Sequence, residues 1–186
     1  MQKTVLQLLL AIAALLAAGL YWTPGADPSA DPAVMKRQMA LAQTYLEETR
    51  SWEYSDSGEL SQILEAQRAE FFKRRNVSEL EQPRFYSHDG NDRSWSASAE
   101  WGRYRHAAGI LNLQDSVVLH NDQTGGTLES AAMTLNVNNN TARSKVPVTI
   151  TQGDSNIRAD GMVADLNRER IVMSPNVESI YVQAQP

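Results

Sequence analysis

Three histidines, His88, His106 and His120, are the chain's only imidazoles, and imidazole is both a common general base and a common metal ligand. Their spacing matches no metal-ligand pattern, and they read as exposed loop or strand residues. The chain has no cysteine, so it has no disulfide and no thiolate chemistry. It contains no Gly-x-Ser-x-Gly elbow, no glycine-rich phosphate loop and no zinc signature. Glu59, Glu65, Glu70, Glu79 and Glu81 read as a solvated face rather than a catalytic pair. Asn139-Asn140-Thr141 fits a glycosylation sequon within a turn-forming stretch. Net charge is −5, and no basic run exceeds Lys73-Arg74-Arg75, itself a solvated turn. That balance argues against a nucleic-acid footprint. Trp52, Trp95 and Trp101 could line a cleft, although tryptophan is ordinarily a core residue. No enzyme, metal or cofactor is expected. The enzymatic alternative is an anchored hydrolase with a dispersed site.

The elements that frame these residues begin with an apolar run. Met1-Gln2-Lys3 is short and basic, Thr4 to Trp22 is almost wholly apolar, and Pro24-Gly25 stops it. As a helix the run is about 28 Å long, close to the thickness of a bilayer's hydrocarbon core. It is longer than a typical signal-peptide core and ends in Leu20-Tyr21-Trp22, aromatic residues suited to a membrane interface. Residues 1–22 are therefore expected to be an uncleaved signal-anchor with a cytoplasmic N-terminus. Residues 23–43 form a linker, rich in proline and small residues at its start, with a short helix possible from Pro32 to Gln43. Residues 44–186, about 140, are the size of one domain.

Within that domain the pattern has period two. Leu111, Leu113, Val117 and Leu119 share one parity; Met133, Leu135 and Val137 share another run. Trp95, Ala97 and Ala99 alternate with serines, and Val146, Val148 and Ile150 alternate with Pro147 and Thr149. One apolar face per run is the mark of half-buried antiparallel strands. Turns separate the runs at Asp56-Ser57-Gly58, Asp89 to Asp92, Thr124 to Gly126, Asn138 to Asn140 and Gln152 to Asp154. Glu59 to Lys73 has helical propensity but follows a hairpin turn, and is read as a strand. A sandwich, roll or barrel is implied. An offset of 29 residues pairs Val117 with Val146, Leu119 with Val148, Leu128 with Ile157, Met133 with Met162 and Val137 with Leu166. If this repeat is real, it implies stacked hairpins sharing an apolar interior.

The order of landmarks resembles a family. An N-terminal anchor and linker precede Tyr54-x-x-x-Gly58-x-Leu60, Ala66, Gln82-Pro83, Trp95-x-x-x-Ala99, Leu111-x-Leu113-x-x-x-Val117, Gly161-Met162 and Val177-x-x-x-Tyr181. This ordered set resembles LptC, the bitopic lipopolysaccharide-export family of the Gram-negative inner membrane. Asp115 stands where the family often carries glycine, which puts a bulge or tight bend at that point in question.

The resemblance implies an all-β domain: an open, taco-like β-jellyroll in the periplasm behind one transmembrane helix, with no enzymatic activity. It implies a bridge that accepts lipopolysaccharide from the inner-membrane transporter LptB–LptF–LptG and passes it to LptA. The helix and the N-terminal edge would meet LptF and LptG. Strand parity puts Trp95, Ala97, Leu111, Leu113, Val117, Leu119, Met133, Leu135, Val146, Val148 and Ile150 on the inward face, which the resemblance makes the lipid-binding groove, and the family match adds Thr49, Leu80 and Ile171. Ile171 to Val182 reads as the last strand, with Ile171, Met173, Val177 and Tyr181 on one face. The resemblance makes its edge the LptA contact, carried by Met173, Val177 and Tyr181. The alternative is a membrane-anchored protein–protein adaptor with a closed β-sandwich and no lipid groove.

Overall fold

The structure, a computed structural model, describes residues 32–33, 36–37, 41–89 and 92–180. The expected anchor, most of the linker and Tyr181 lie outside these residues. Among the described residues no helix is long and apolar enough to cross a membrane. Pro32, Ala33, Lys36 and Arg37 are helical. From residue 44 onward the described chain is β-structure apart from one 3-10 turn, His106–Ala108.

Fourteen strands form one antiparallel system: β1 (Thr44–Tyr54), β2 (Leu60–Phe72), β3 (Val77–Glu81), β4 (Arg84–Asp89), β5 (Asp92–Ser98), β6 (Trp101–Arg105), β7 (Ile110–Asn121), β8 (Thr127–Asn136), β9 (Thr141–Ser144), β10 (Val148–Gln152), β11 (Ser155–Ala159), β12 (Met162–Asp165), β13 (Arg170–Met173) and β14 (Glu178–Ile180). The stretch with helical propensity is β2, because its pairing with β1, β3 and β4 outweighs local preference.

The long strands each belong to two walls. The 62–65 part of β2 pairs with β4, and its 68–72 part pairs with β3. In β7, residues 110–114 pair with β6 and 118–121 with β5. In β8, residues 127–130 pair with β10 and 134–136 with β9. One wall therefore holds β4, β5, β10, β11 and β14; the other holds β3, β6, β9, β12 and β13. The chain crosses from wall to wall along a fold line near Glu48, Gln67, Gln82, Glu100, Asp115, Ala131, Lys145, Asp160 and Ser174. Each crossing lies beside the next. The bonds Gln82 N to Glu100 O (2.8 Å), Glu100 N to Asp115 O (2.9 Å) and Ser174 N to Gly161 O (3.0 Å) carry the ladder along it.

Left-handed backbone makes several of these bends: φ is +48° at Glu48, +47° at Gln82, +60° at Asp115 and +52° at Ser116. The bulge questioned at Asp115 is therefore present without glycine. Asp115 and Ser116 together lie opposite one residue of β8, because Gln114 faces Ala132 while Val117 faces Ser130. The extra residue leaves β7's apolar parity intact across the bend and shifts that of β8, so that Leu128 and Met133 both point inward. Gly161 is fixed by close approach: a Cβ there would sit 3.0 Å from Ser144 O and 3.2 Å from Ser174 O.

The 29-residue offset is the chain's passage across both walls and back. Leu119 and Val148 are inward residues of one wall. Met133 and Met162 begin the other, and Val137 and Leu166 end it. At the bend of β8 the ladder is interrupted, and serines fill the gap. Ser144 Oγ lies 2.9 Å from the carbonyl oxygens of Ala132 and Val146 and accepts from Val146 N at 3.2 Å. It is buried, and Ser130 Oγ is 3.1 Å away.

Candidate functional site: the space between the walls

The inward faces of both walls are apolar because each strand's alternation is in phase with the bends. Leu80, Trp95, Ala97, Leu111, Leu113, Val117, Leu119, Met133, Leu135 and Val148 are all buried in one cluster that draws on both walls. Leu128, Ala142, Ala159, Met162, Ala164 and Leu166 join them. Fully burying a leucine, valine or methionine contributes about 1.5–3 kcal/mol, so this floor packs against itself. Leu64, Tyr104, Ile150, Ile171 and Met173 are only partly buried against it. They form the lips and the end of the interior.

Two clefts open between the lips. One is lined by Ser51, Glu53, Gln62, Leu64 and Phe85 facing Tyr104, Leu111 and Val137. The other is lined by Trp95, Leu119, Leu128 and Ile150 facing Glu169 and Ile171, with Asn121, Thr124 and Gln152 at the rim. Among the described residues two side-chain hydrogen bonds cross from wall to wall. Gln62 Nε2 donates to Val137 O at 2.7 Å, and Trp95 Nε1 donates to Leu166 O at 3.1 Å.

Burial raises the Tyr104 phenol above its ordinary pKa, and the Glu53 carboxylate adds to the rise. His106 sits at the same end, with Nε2 2.8 Å from Ser78 Oγ and its ring edge-on to Phe71 and Tyr104. Partial burial lowers its pKa. Among the described residues no group of three His, Cys, Asp or Glu is placed to hold a metal ion.

Several expected positions move. Val146 is not on a strand with Val148 and Ile150. It lies half-buried in the crossing between β9 and β10, where the chain changes wall. Thr49 is half-buried opposite buried Ala66, beside the bend at Glu48. Trp52 and Trp101 are 52% and 50% exposed, so neither is core. Arg50 lies over the Trp52 ring.

The stretch from Ile171 is not one strand. β13 pairs with β12 in one wall and β14 with β11 in the other. Pro175 has no N–H to continue a ladder and Asn176 has φ +50°. Ile171 and Met173 face the interior, while Val177 lies between the strands and is 53% exposed. The single face predicted for Ile171, Met173 and Val177 therefore breaks at the crossing.

The lip residues Gln62, Glu53 and Phe85 carried no signal of their own. Gly102 and Tyr104 do alternate with Trp101, Arg103 and Arg105, and that period points Tyr104 inward.

β1 pairs only with β2, β13 only with β12 and β14 only with β11, so each leaves one side free among the described residues. β1 is exposed nearly throughout, with Tyr45, Leu46, Trp52 and Tyr54 in the open.

A similar fold occurs in LptH from Pseudomonas aeruginosa, described as the LptA-homologous periplasmic component of the lipopolysaccharide transport device. The similarity has a TM-score of 0.54 at 10% identity over 66% of this chain and 95% of that one. The sequence matches no curated protein. Residues 10–182 match the family described as lipopolysaccharide-assembly, LptC-related. That match runs from within the apolar N-terminal run through the two-walled roll, and the chain belongs to the LptC family of lipopolysaccharide-assembly proteins.

Proposed function

We propose that this chain is a bridge component of lipopolysaccharide export, anchored in the inner membrane by residues 1–22, that holds acyl chains between the walls of its periplasmic roll. The observation that carries this reading is the apolar interior: it draws on both walls and is half-exposed only at the lips, at Leu64, Tyr104, Ile150, Ile171 and Met173. Each acyl methylene transferred there from water contributes about 0.8 kcal/mol. In this reading lipid enters along the lips, first touching Ile150 and Ile171. The floor residues Leu80, Leu111, Leu113, Val117, Leu119, Met133, Leu135 and Val148 contact it as the walls part. Lipopolysaccharide arrives from LptB–LptF–LptG, with LptF and LptG engaging the anchor and the free edge of β1. It leaves to LptA across the free edges of β13 and β14, near Met173, Val177 and Tyr181, by backbone strand addition.

A photoreactive residue at Ile171 or Ile150, introduced in cells, is expected to crosslink lipopolysaccharide, and one at outward-facing Thr134 is not. Equal labelling of both faces would overturn the reading. Deleting residues 178–186 is expected to abolish LptA capture while leaving association with LptF and LptG. The close packing of the floor, where Leu111, Leu113, Val117, Leu119 and Val148 are 0–1% exposed, favours a second reading, a closed adaptor that binds protein only. Mass spectrometry of the protein purified from cells separates the two, because the adaptor carries no lipopolysaccharide.

A further inference from the structure

Val137 and Leu166 occupy the same position in two successive laps, 29 residues apart. Each stands just past the end of a strand in the same wall. Each uses its N–H to extend the ladder by one residue, Val137 to Gly109 O at 2.9 Å and Leu166 to Asn140 O at 2.9 Å. Each then presents its carbonyl to the opposite wall, where Gln62 Nε2 and Trp95 Nε1 donate to them. These two donors belong to β2 and β5, both of the wall opposite. The Trp95–Leu166 bond is buried, so its indole and carbonyl find no substitute in bulk water while the walls stay together; the Gln62–Val137 bond is part-buried at the mouth of its cleft. The two bonds span the space that the clefts enter: Gln62 and Val137 line one cleft and Trp95 lines the other.

We propose that Gln62–Val137 and Trp95–Leu166 are paired latches that hold the walls shut, and that both break when an amphiphile with long acyl chains enters. The proposal rests on the lipid-carrier reading for its ligand but not for the latches themselves. Any occupant thicker than the existing side-chain packing separates donor from acceptor. Both acceptors sit on the tips of one wall, so that wall swings as a unit about the fold line. A net contribution of about 1 kcal/mol per neutral hydrogen bond corresponds to roughly a five-fold change in the closed-to-open ratio, reached by the buried Trp95 latch and approached from below by the part-buried Gln62 latch.

The test uses the full-length protein in detergent micelles. Absence of native cysteine allows clean spin labelling at Thr124→Cys and Glu169→Cys, residues on opposite lips of one cleft. Trp95→Phe keeps an aromatic ring, though a smaller one, and removes the donor, and Gln62→Leu removes the other donor at similar size. Thr134→Ala, which removes a 3.0 Å bond to Asn112 within one wall, is the control. The latch variants are expected to lengthen and broaden the lip-to-lip distance without lipid. They should also speed association of fluorescent lipopolysaccharide, by up to about five-fold for Trp95→Phe and less for Gln62→Leu, while Thr134→Ala does neither. Unchanged distances in both latch variants overturn the proposal, even where wild type binds lipopolysaccharide. Lengthened distances with no lipopolysaccharide bound by any form leave the latches standing and remove the lipid reading instead. Each single variant reads its own latch, so a failure of one to fold leaves the other as the test.

Discussion

Leu113→Ala tests whether the floor of the roll is packed in the absence of lipid. Leu113 is 1% exposed. It lies opposite Gly102 in β6 and Met133 in β8, and neither neighbour's backbone can move in without disturbing two ladders. The site therefore collapses poorly, and the loss belongs in the middle of the range for buried leucine, about 3 kcal/mol. For a domain of about 145 residues, each kcal/mol moves Tm by roughly 3–4 °C, so the expected drop is about 10 °C. Ile171→Ala at the half-exposed lip removes a similar side chain with less of it buried, and is expected to cost about 1–2 kcal/mol, or roughly 5 °C. Thermal melts of the two variants and wild type, followed by near-ultraviolet circular dichroism, give the comparison directly. A Leu113→Ala loss below about 0.5 kcal/mol, the range of surface substitutions, would refute the reasoning and mean that the floor is already parted without lipid.

Leu113→Asp is expected to unfold the domain, because it puts an unpaired charge into that floor; a protease-resistant variant would count against the packing. Gly161→Ala is expected to lose about 1–3 kcal/mol in chemical denaturation, since its Cβ meets two backbone oxygens that cannot yield. Ser144→Ala leaves the Val146 amide without its hydroxyl acceptor and is expected to cost about 1–3 kcal/mol by the same measurement. His106 binds its proton less readily in the folded state than in the unfolded one. Its contribution is thus present above the unfolded pKa of about 6.5 and lost as pH falls through the lower folded value. Melts at pH 7.5 and 5 are expected to show a smaller gap for His106→Phe than for wild type, and an equal gap would dismiss the histidine as a source.

Alternation carried most of the legible information. The runs through Leu111 and Leu119, Met133 and Val137, and Trp95 and Ala99 placed their residues inward because each is a regular strand between bends. The bends themselves were not legible. Asp115-Ser116 looks like an ordinary polar step, yet both residues adopt positive φ, and the resulting shift hid Leu128 from a parity count. Val146 was misplaced for the same reason: alternation continues through Lys145 and Val146 while the backbone changes wall. At the C-terminus Pro175 was the available signal, and its missing donor separates β13 from β14. The lip residues Glu53 and Gln62 are polar residues on an inward face, and only the three-dimensional meeting of the walls gives them a role.

The fold line has a consequence for biogenesis. Successive rows lie side by side in the order they occur in the chain, β1 and β2 at one end and β13 and β14 at the other. A chain emerging N-terminus first can therefore add each row to the one just laid, closing only short loops. No row waits for a distant segment, and the growing face is always a strand edge that the next row covers. The edge at β1 is complete early, while the opposite edge exists only after β13 and β14 arrive. Assembly thus acquires a built-in timetable: contacts at the β1 edge can form on a nascent roll, but anything that needs the edge of β13 and β14 must meet a later one.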